Sequence, residues 1–347
     1  MALSGKAERI CAPALSQRRF DGIEWGTKPV LMKGGERLKG TQKARAAALF
    51  AALALLFSSC SVFSGTDEEV PLAPGVTEST VIKTAVASGT KTEANSSATL
   101  DYSNSAEGYV MLKYSSSGTK IKTQITGPSG LAYTYNQSLS GVWDVYPLSD
   151  GNGSYKISVY ENISGRSYAT VFAYAITVSL KDEFVPFLIP NKYVNYSASS
   201  KAVKKSAELC AGKTAVIKKV KAVYDYVITN FSYDYQLAKT VQSGYIPELD
   251  TVMAKKKGIC FDYAAVMTAM LRSQGIPTKL VFGYAGSVYH AWISVYSSET
   301  GWINSAIYFD GKHWKLMDPT FASTGMSSAS IMKYIGNGKN YSVKYIY

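Results

Sequence analysis

A tight turn, an apolar run and a stop signal in close order do most to limit what this chain can fold into. Gly258-Ile259-Cys260 leads into Phe261–Ser273, a run rich in Ala, Met and Leu. Gln274-Gly275 ends the run, and Pro277 follows two residues beyond that glycine. This order predicts a helix with Cys260 at or near its amino terminus. Two runs suited to strands follow, Thr278–Tyr284 and His290–Tyr296, and a third, Lys312–Met317, leads into Asp318-Pro319-Thr320. A helix followed by neighbouring strands is the pattern of an α+β domain.

The same stretch carries the chain's most reactive side chains. Unpaired N–H groups and the helix dipole at an amino terminus favour a thiolate, which points to Cys260 as a nucleophile. Backbone N–H groups at that position can also hold an oxyanion. Gly258 lets the chain approach closely, with no side chain in the way. The chain has only two histidines, His290 and His313. His290 opens a strand inside this stretch, whereas His313 stands in the third run and reads as structural. Strands side by side can place His290 facing Cys260, with Asp318 behind the imidazole. Cys260 would then attack an amide carbonyl, His290 would protonate the leaving amine, and Asp318 would hold the imidazole's tautomer. The plainer alternatives are a buried inert thiol, a packed strand histidine and a turn-forming Asp before Pro. No paired CxxC or HxxxH spacing is present, so a metal site is not expected. No Asp/Glu-rich calcium loop stands out either, and no cofactor is assigned.

Upstream of this stretch the pattern is different. From about Ser96 to Leu180, short alternating runs are separated by turn residues: Tyr109–Tyr114, Lys120–Ile125, Ser154–Tyr160 and Tyr168–Tyr174. Period-two segments of this kind predict an antiparallel β-sandwich over 96–182. It holds no His or Cys, so it reads as a spacer or recognition domain, with Tyr133, Tyr135 and Trp143 as core rather than a ligand face. Residues 202–231 carry apolar positions at three- and four-residue steps, Val216, Val220, Val223 and Val227 among them, and predict a helix. Lys218, Lys219 and Lys221 lie between them as a solvated face, the sharper alternative being a site for an anionic polymer. Cys210 reads as a small apolar residue at a helix end.

The amino-terminal part reads as an address. Ala44–Phe57 is a short apolar run behind Lys33, Arg37, Lys39, Lys43 and Arg45, as in a secretory signal. It is shorter than the ~20 residues a membrane-spanning helix needs. It ends in Phe57-Ser58-Ser59-Cys60, which resembles a bacterial lipoprotein signal and marks Cys60 for lipidation, although Phe57 stands where that pattern prefers Leu. Met32 makes a conventional start for such a signal, and residues 60–95 read as the lipidated Cys and a tether. If Cys60 carries lipid and Cys260 is catalytic, Cys210 has no partner, which argues against a disulfide framework. The chain's net charge is +12, but the first 59 residues hold ten Lys/Arg and four Asp/Glu, leaving a surplus of six beyond them. That surplus suits an anionic wall or membrane surface, and no nucleic-acid motif accompanies it.

The carboxy-terminal stretch resembles the transglutaminase-like superfamily, which has a papain-like catalytic core. The residues that carry the resemblance are Gly258-x-Cys260-x-x-Tyr263-Ala264, Met270-Leu271-Arg272-x-x-Gly275-Ile276-Pro277, Gly283-Tyr284, His290-Ala291-Trp292 and Asp318-Pro319-Thr320. A weaker likeness reaches upstream to about Tyr224. The resemblance implies a catalytic domain over 183–347 with Cys260, His290 and Asp318 as its triad. It also implies acyl transfer on peptide or protein amides through a thioester, with water or a lysine amine as acceptor. The interval Ser297–Gly311 is longer than in compact members and reads as an added hairpin or loop. Tyr224, Tyr226 and Tyr233 are candidates to complete an oxyanion site. The expected protein is lipid-anchored outside the cytoplasm, the alternative being ordinary secretion with cleavage near Ser59, with a peptide or protein substrate and the cell wall as a further partner. The competing class is a non-catalytic surface binding or scaffold lipoprotein.

Overall fold

The computed structural model describes residues 82–115, 120–139, 141–298, 301–303 and 341–347, and the backbone of 307–309 and 314–316. All of them belong to one compact unit. Met32, the apolar run 44–57, Cys60, His313 and Asp318 lie outside the described residues.

Eight strands build the first half: β1 (Thr92–Ala94), β2 (Ala98–Asp101), β3 (Tyr109–Tyr114), β4 (Ile121–Thr126), β5 (Ala132–Asn136), β6 (Asp144–Pro147), β7 (Gly153–Ser164) and β8 (Ser167–Val178). They form two four-stranded antiparallel sheets in the orders β1-β2-β3-β6 and β5-β4-β7-β8. Along β4 the residues alternate between buried and half-buried, as a strand with one core face requires. Leu100 and Leu112 of one sheet share a core with Ile125 and Ile157 of the other, so the expected sandwich is present. Tyr133 and Tyr135 are buried in that core. Trp143 is half-buried, with the Lys113 ammonium 4.9 Å above its ring.

The second half opens with helices α1 (Lys201–Cys210) and α2 (Val216–Asn230). The helical stretch read within 202–231 is α2, and Gly212, at φ +69°, separates it from α1, which ends at Cys210. Val220, Val223 and Val227 face the core, whereas Lys218 and Lys221 are exposed. Next come β9 (Ser232–Tyr233), α3 (Tyr235–Thr240), α4 (Leu249–Lys255), β10 (Lys257–Gly258) and α5 (Cys260–Arg272). The segment between Pro247 and Gly258 contains α4. Too short to show a period, α4 is capped by the Glu248 carboxylate, which accepts the Asp250 and Thr251 N–H groups.

Helix α5 is buried from end to end. A helix apolar on every side sits inside a core rather than on its surface. Beside it runs the antiparallel sheet β13-β12-β11-β16, from β11 (Thr278–Ala285), β12 (Val288–Ser297), β13 (Gly301–Ile303) and β16 (Tyr341–Ile346). β14 (Ile307–Phe309), inside the interval Ser297–Gly311 read as an added hairpin or loop, pairs antiparallel with β15 (Trp314–Leu316), which lies beyond that interval. Gly283 is required where β16 crosses β11: a Cβ there would lie 1.9 Å from the Ser342 carbonyl oxygen.

The sandwich and the α5 region share one hydrophobic core. Tyr347 sits between Tyr133 and Tyr135 of the sandwich and Tyr193 and Phe282 of the second half, at ring separations of 4.8–5.7 Å. A buried ion pair, Lys192 to Asp144 at 2.7 Å, ties the connecting segment back to β6.

Candidate active site

Cys260 is the first residue of α5. Four backbone N–H groups at a helix start have no partner within the helix, and here they stand at the thiol. The turn before it is held from two sides. Gly258 pairs with Tyr233 in the parallel β9–β10 bridge, and its carbonyl accepts the Asp234 N–H at 2.8 Å. Ile259 donates its N–H to Asp262 Oδ2 at 2.7 Å. A Cβ on Gly258 would lie 2.5 Å from the Asp262 Cβ, so a glycine is needed for close approach and not for a special φ.

His290 stands on β12 opposite Gly283 of β11. Phe261, the residue after Cys260, packs edge-on against Phe282, the residue before Gly283, at 4.8 Å. The thiol's helix and the imidazole's strand therefore meet at one end of the sheet. Alternation along β12 divides its side chains: Ala291, Ile293 and Val295 belong to the core that includes α5, and His290 and Trp292 occupy the other positions. The His290 ring stacks with Trp292 at 6.1 Å and lies 6.4 Å from the Tyr341 ring. Cys260 is 5% exposed and His290 2%. Asp318, the third expected member, lies outside the described residues.

A cleft opens beside this corner. Phe261, Phe282 and Tyr289 line it together with Tyr245 from the loop before α4, and Lys122 and Asn136 of the sandwich form another part of its wall. Gly244 is fitted against Asn136, whose amide nitrogen would lie 2.2 Å from a Cβ at that glycine. The region read from sequence as a spacer or recognition domain thus contributes side chains to a cleft that Phe261, the residue after Cys260, also lines.

The remaining candidate residues lie on the elements around α5. Tyr224 is buried in the core and Tyr226 packs on Phe231. Of the three tyrosines named for an oxyanion site, Tyr233 is paired with Gly258 in the turn before Cys260. Cys210 ends α1, a buried free thiol whose pKa is pushed up by burial. Among the described residues, no three His, Cys, Asp or Glu side chains gather as metal ligands, and no helix is long and apolar enough to cross a membrane.

Two side chains escaped the sequence reading. Tyr245 donates its phenol to Asp262 Oδ1 at 2.6 Å, and Asp262 is fully buried. An acid two residues into an otherwise apolar run was the available signal. Tyr245 carried none, because the pair spans seventeen residues.

Residues 203–319 match the transglutaminase-like superfamily. An uncharacterised protein of Bacillus subtilis (strain 168), YebA, is 32% identical over a stretch that covers 24% of this chain and 14% of the relative. The chain thus spans about a seventh of that curated relative. Among solved structures, the periplasmic domain of TgpA from Pseudomonas aeruginosa, bound to ethylmercury, is 16% identical at a TM-score of 0.30, covering 60% of this chain and 91% of its own. Red sea bream transglutaminase is 15% identical at 0.25, covering 61% of this chain and 48% of its own. At these TM-scores the solved structures add nothing to the superfamily match.

Proposed function

We propose that the transglutaminase-like core domain carried by this chain at residues 203–319 is a cysteine acyl-transfer site acting on protein or peptide amides. The thiolate of Cys260 attacks the amide carbonyl carbon, and the carbonyl electron pair moves onto oxygen, facing the free N–H groups at the start of α5. Collapse of that intermediate expels the amine, which takes its proton from the His290 imidazolium and leaves a thioester on Cys260. Asp318 orients the imidazole. Water or a lysine amine then attacks the thioester, gives a proton to His290 and releases the thiol. We favour water as acceptor, which makes the protein a peptidase or amidase, with a transglutaminase as the second form. The observation that carries this reading is the seat of Cys260 as the first residue of α5 within the matched segment.

The wider setting is part of the same proposal. Cys60 is lipidated, and the protein works outside the cytoplasm on a membrane surface beside the cell wall. Incorporation of a labelled fatty acid that is lost in Cys60→Ala checks the anchor, and incorporation that persists would remove it.

The chemistry is tested on the full chain, incubated with a glutamine-containing protein and a labelled amine and followed by mass spectrometry. Cys260→Ala is expected to lower turnover by a factor on the order of 10³ or more. Cys260-dependent cleavage or deamidation without amine uptake marks a hydrolase, and Cys260-dependent uptake marks a transglutaminase. Turnover that survives Cys260→Ala overturns Cys260 as the nucleophile, and no turnover in the parent chain overturns the reading in favour of a surface binding module.

A further inference from the structure

The reaction above leaves one charged side chain beside the nucleophile without a role. Asp262 lies two residues past Cys260 and has no exposed surface. Its two oxygens accept the Ile259 N–H and the Tyr245 phenol, and among the described residues no cation pairs with it. Burial pushes its carboxyl up to about 6; the hydrogen bonds from Tyr245 and Ile259 pull it down, and the Asp234 carboxylate adds to the rise. A buried carboxylate without a counter-ion is costly, and an amide could occupy this helix turn at lower cost. What the charged form does here is accept from both donors at once. It thereby joins the turn before the thiol to Tyr245, a side chain that lines the cleft.

We propose that Asp262, held by Tyr245, is a positioning residue for Cys260: the carboxylate fixes the Gly258–Ile259 turn so that the thiol and the first N–H groups of α5 keep their place at the cleft. The proposal rests on the acyl-transfer reading for the purpose of that thiol, and on geometry for the rest. Protonation turns one oxygen of Asp262 from acceptor to donor, so the grip on Tyr245 and Ile259 changes below its pKa. The titratable groups that act on this carboxylate are Tyr245 and Asp234, the latter paired with Lys257 at 3.4 Å. The other elements packed on α5 carry Cys210 on α1, Tyr224 on α2, Asp250 on α4, Lys279 on β11 and His290 on β12.

The test needs no substrate. Iodoacetamide is applied to the full chain from about pH 4.5 to about pH 8, and alkylation of Cys260 is followed on its own peptide by mass spectrometry. The parent profile should show an inflection near the Asp262 pKa. Tyr245→Phe removes a donor to the charged form, so it should move that inflection upward by about one pH unit. Asp262→Asn should abolish the inflection and slow alkylation at neutral pH about threefold to tenfold. A purely structural role predicts otherwise: lower melting midpoints, with the inflection in the same place in all three proteins. That outcome overturns the proposal, as does a folded parent chain in which Cys260 does not alkylate at any pH. The two readings fail separately. Tyr245-sensitive alkylation without turnover removes acyl transfer and keeps the positioning role, whereas turnover with an unmoved inflection removes the positioning role alone.

Discussion

Both ends of α5 bury a charged side chain, and each end treats its charge differently. At the carboxy-terminal end, Arg272 donates Nε to the Thr278 carbonyl at 2.9 Å and its two terminal nitrogens to the Ile189 and Tyr347 carbonyls at 2.7 and 2.8 Å. Burial lowers its pKa to about 10, still far above neutral, so the guanidinium keeps its charge. It staples the helix to β11, to the chain's last residue and to the segment coming from the sandwich. At the amino-terminal end, Asp262 has, among the described residues, the Tyr245 and Ile259 donors and no cation, and its carboxyl is raised to about 6 by burial. One end is satisfied by three backbone oxygens and stays charged at every pH near neutrality. The other is poised to titrate, and it stands beside the thiol. Buried charge alone does not mark a site; buried charge that is costly to keep and close to a nucleophile is the informative case.

The largest expected effect is at the staple. Arg272→Met removes three buried hydrogen bonds to backbone oxygens, of which the Tyr347 oxygen keeps the Leu280 N–H, and should cost about 3 kcal/mol, read as the shift of a urea unfolding midpoint. That loss should be nearly the same at pH 5 and pH 8. A marked pH dependence would mean that the two ends of α5 are not as different as the geometry implies.

Asp262→Asn should do the reverse and change the slope with pH. The folded pKa of about 6 exceeds the ~3.9 of an unfolded Asp, so the folded state binds the extra proton between those values. The contribution of Asp262 to stability is therefore fully present below about pH 4 and is lost as pH rises through about 6. Relative to Asp262→Asn, the parent chain should lose up to about 2–3 kcal/mol across that window and stay level above it. A constant difference from acid to neutral pH would show that the carboxyl is not raised.

A smaller effect sharpens the amino-terminal end. Gly258→Ala drives a Cβ to within 2.5 Å of Asp262 and should cost about 1–3 kcal/mol in melting experiments. In an Asp262→Ala background most of that cost should disappear, because the obstructing carboxyl group is gone. Equal costs in the two backgrounds would mean that the turn, and not its fit to Asp262, demands the glycine.

The contrast also shows what could be read without coordinates. The strands Ser154–Tyr160 and Tyr168–Tyr174 were legible because one more buried face imposes a period of two, whereas Tyr109–Tyr114, buried on both faces, was legible as a short run between turn residues. α5 was legible by its Gly and Pro boundaries rather than by a period, since a helix buried on every side has none. Arg272 stood out as part of a resemblance, but its reason, three carbonyls up to 83 residues away, did not. Tyr245 and the cleft-lining Lys122 and Asn136 carried no local signal at all.

Local order in the chain determined that Cys260 would begin a buried helix, that His290 would sit on a strand in the following sheet, and that an antiparallel sandwich would precede them. Those features depend on capping, period and turn chemistry, which act between near neighbours. The tertiary structure alone decided that sandwich and helix share one core, that sandwich side chains line the cleft beside the thiol, and that Asp262 is gripped by Tyr245. Those features arise where distant segments compete for the same buried volume and the same hydrogen-bond donors, and no window of sequence contains both partners.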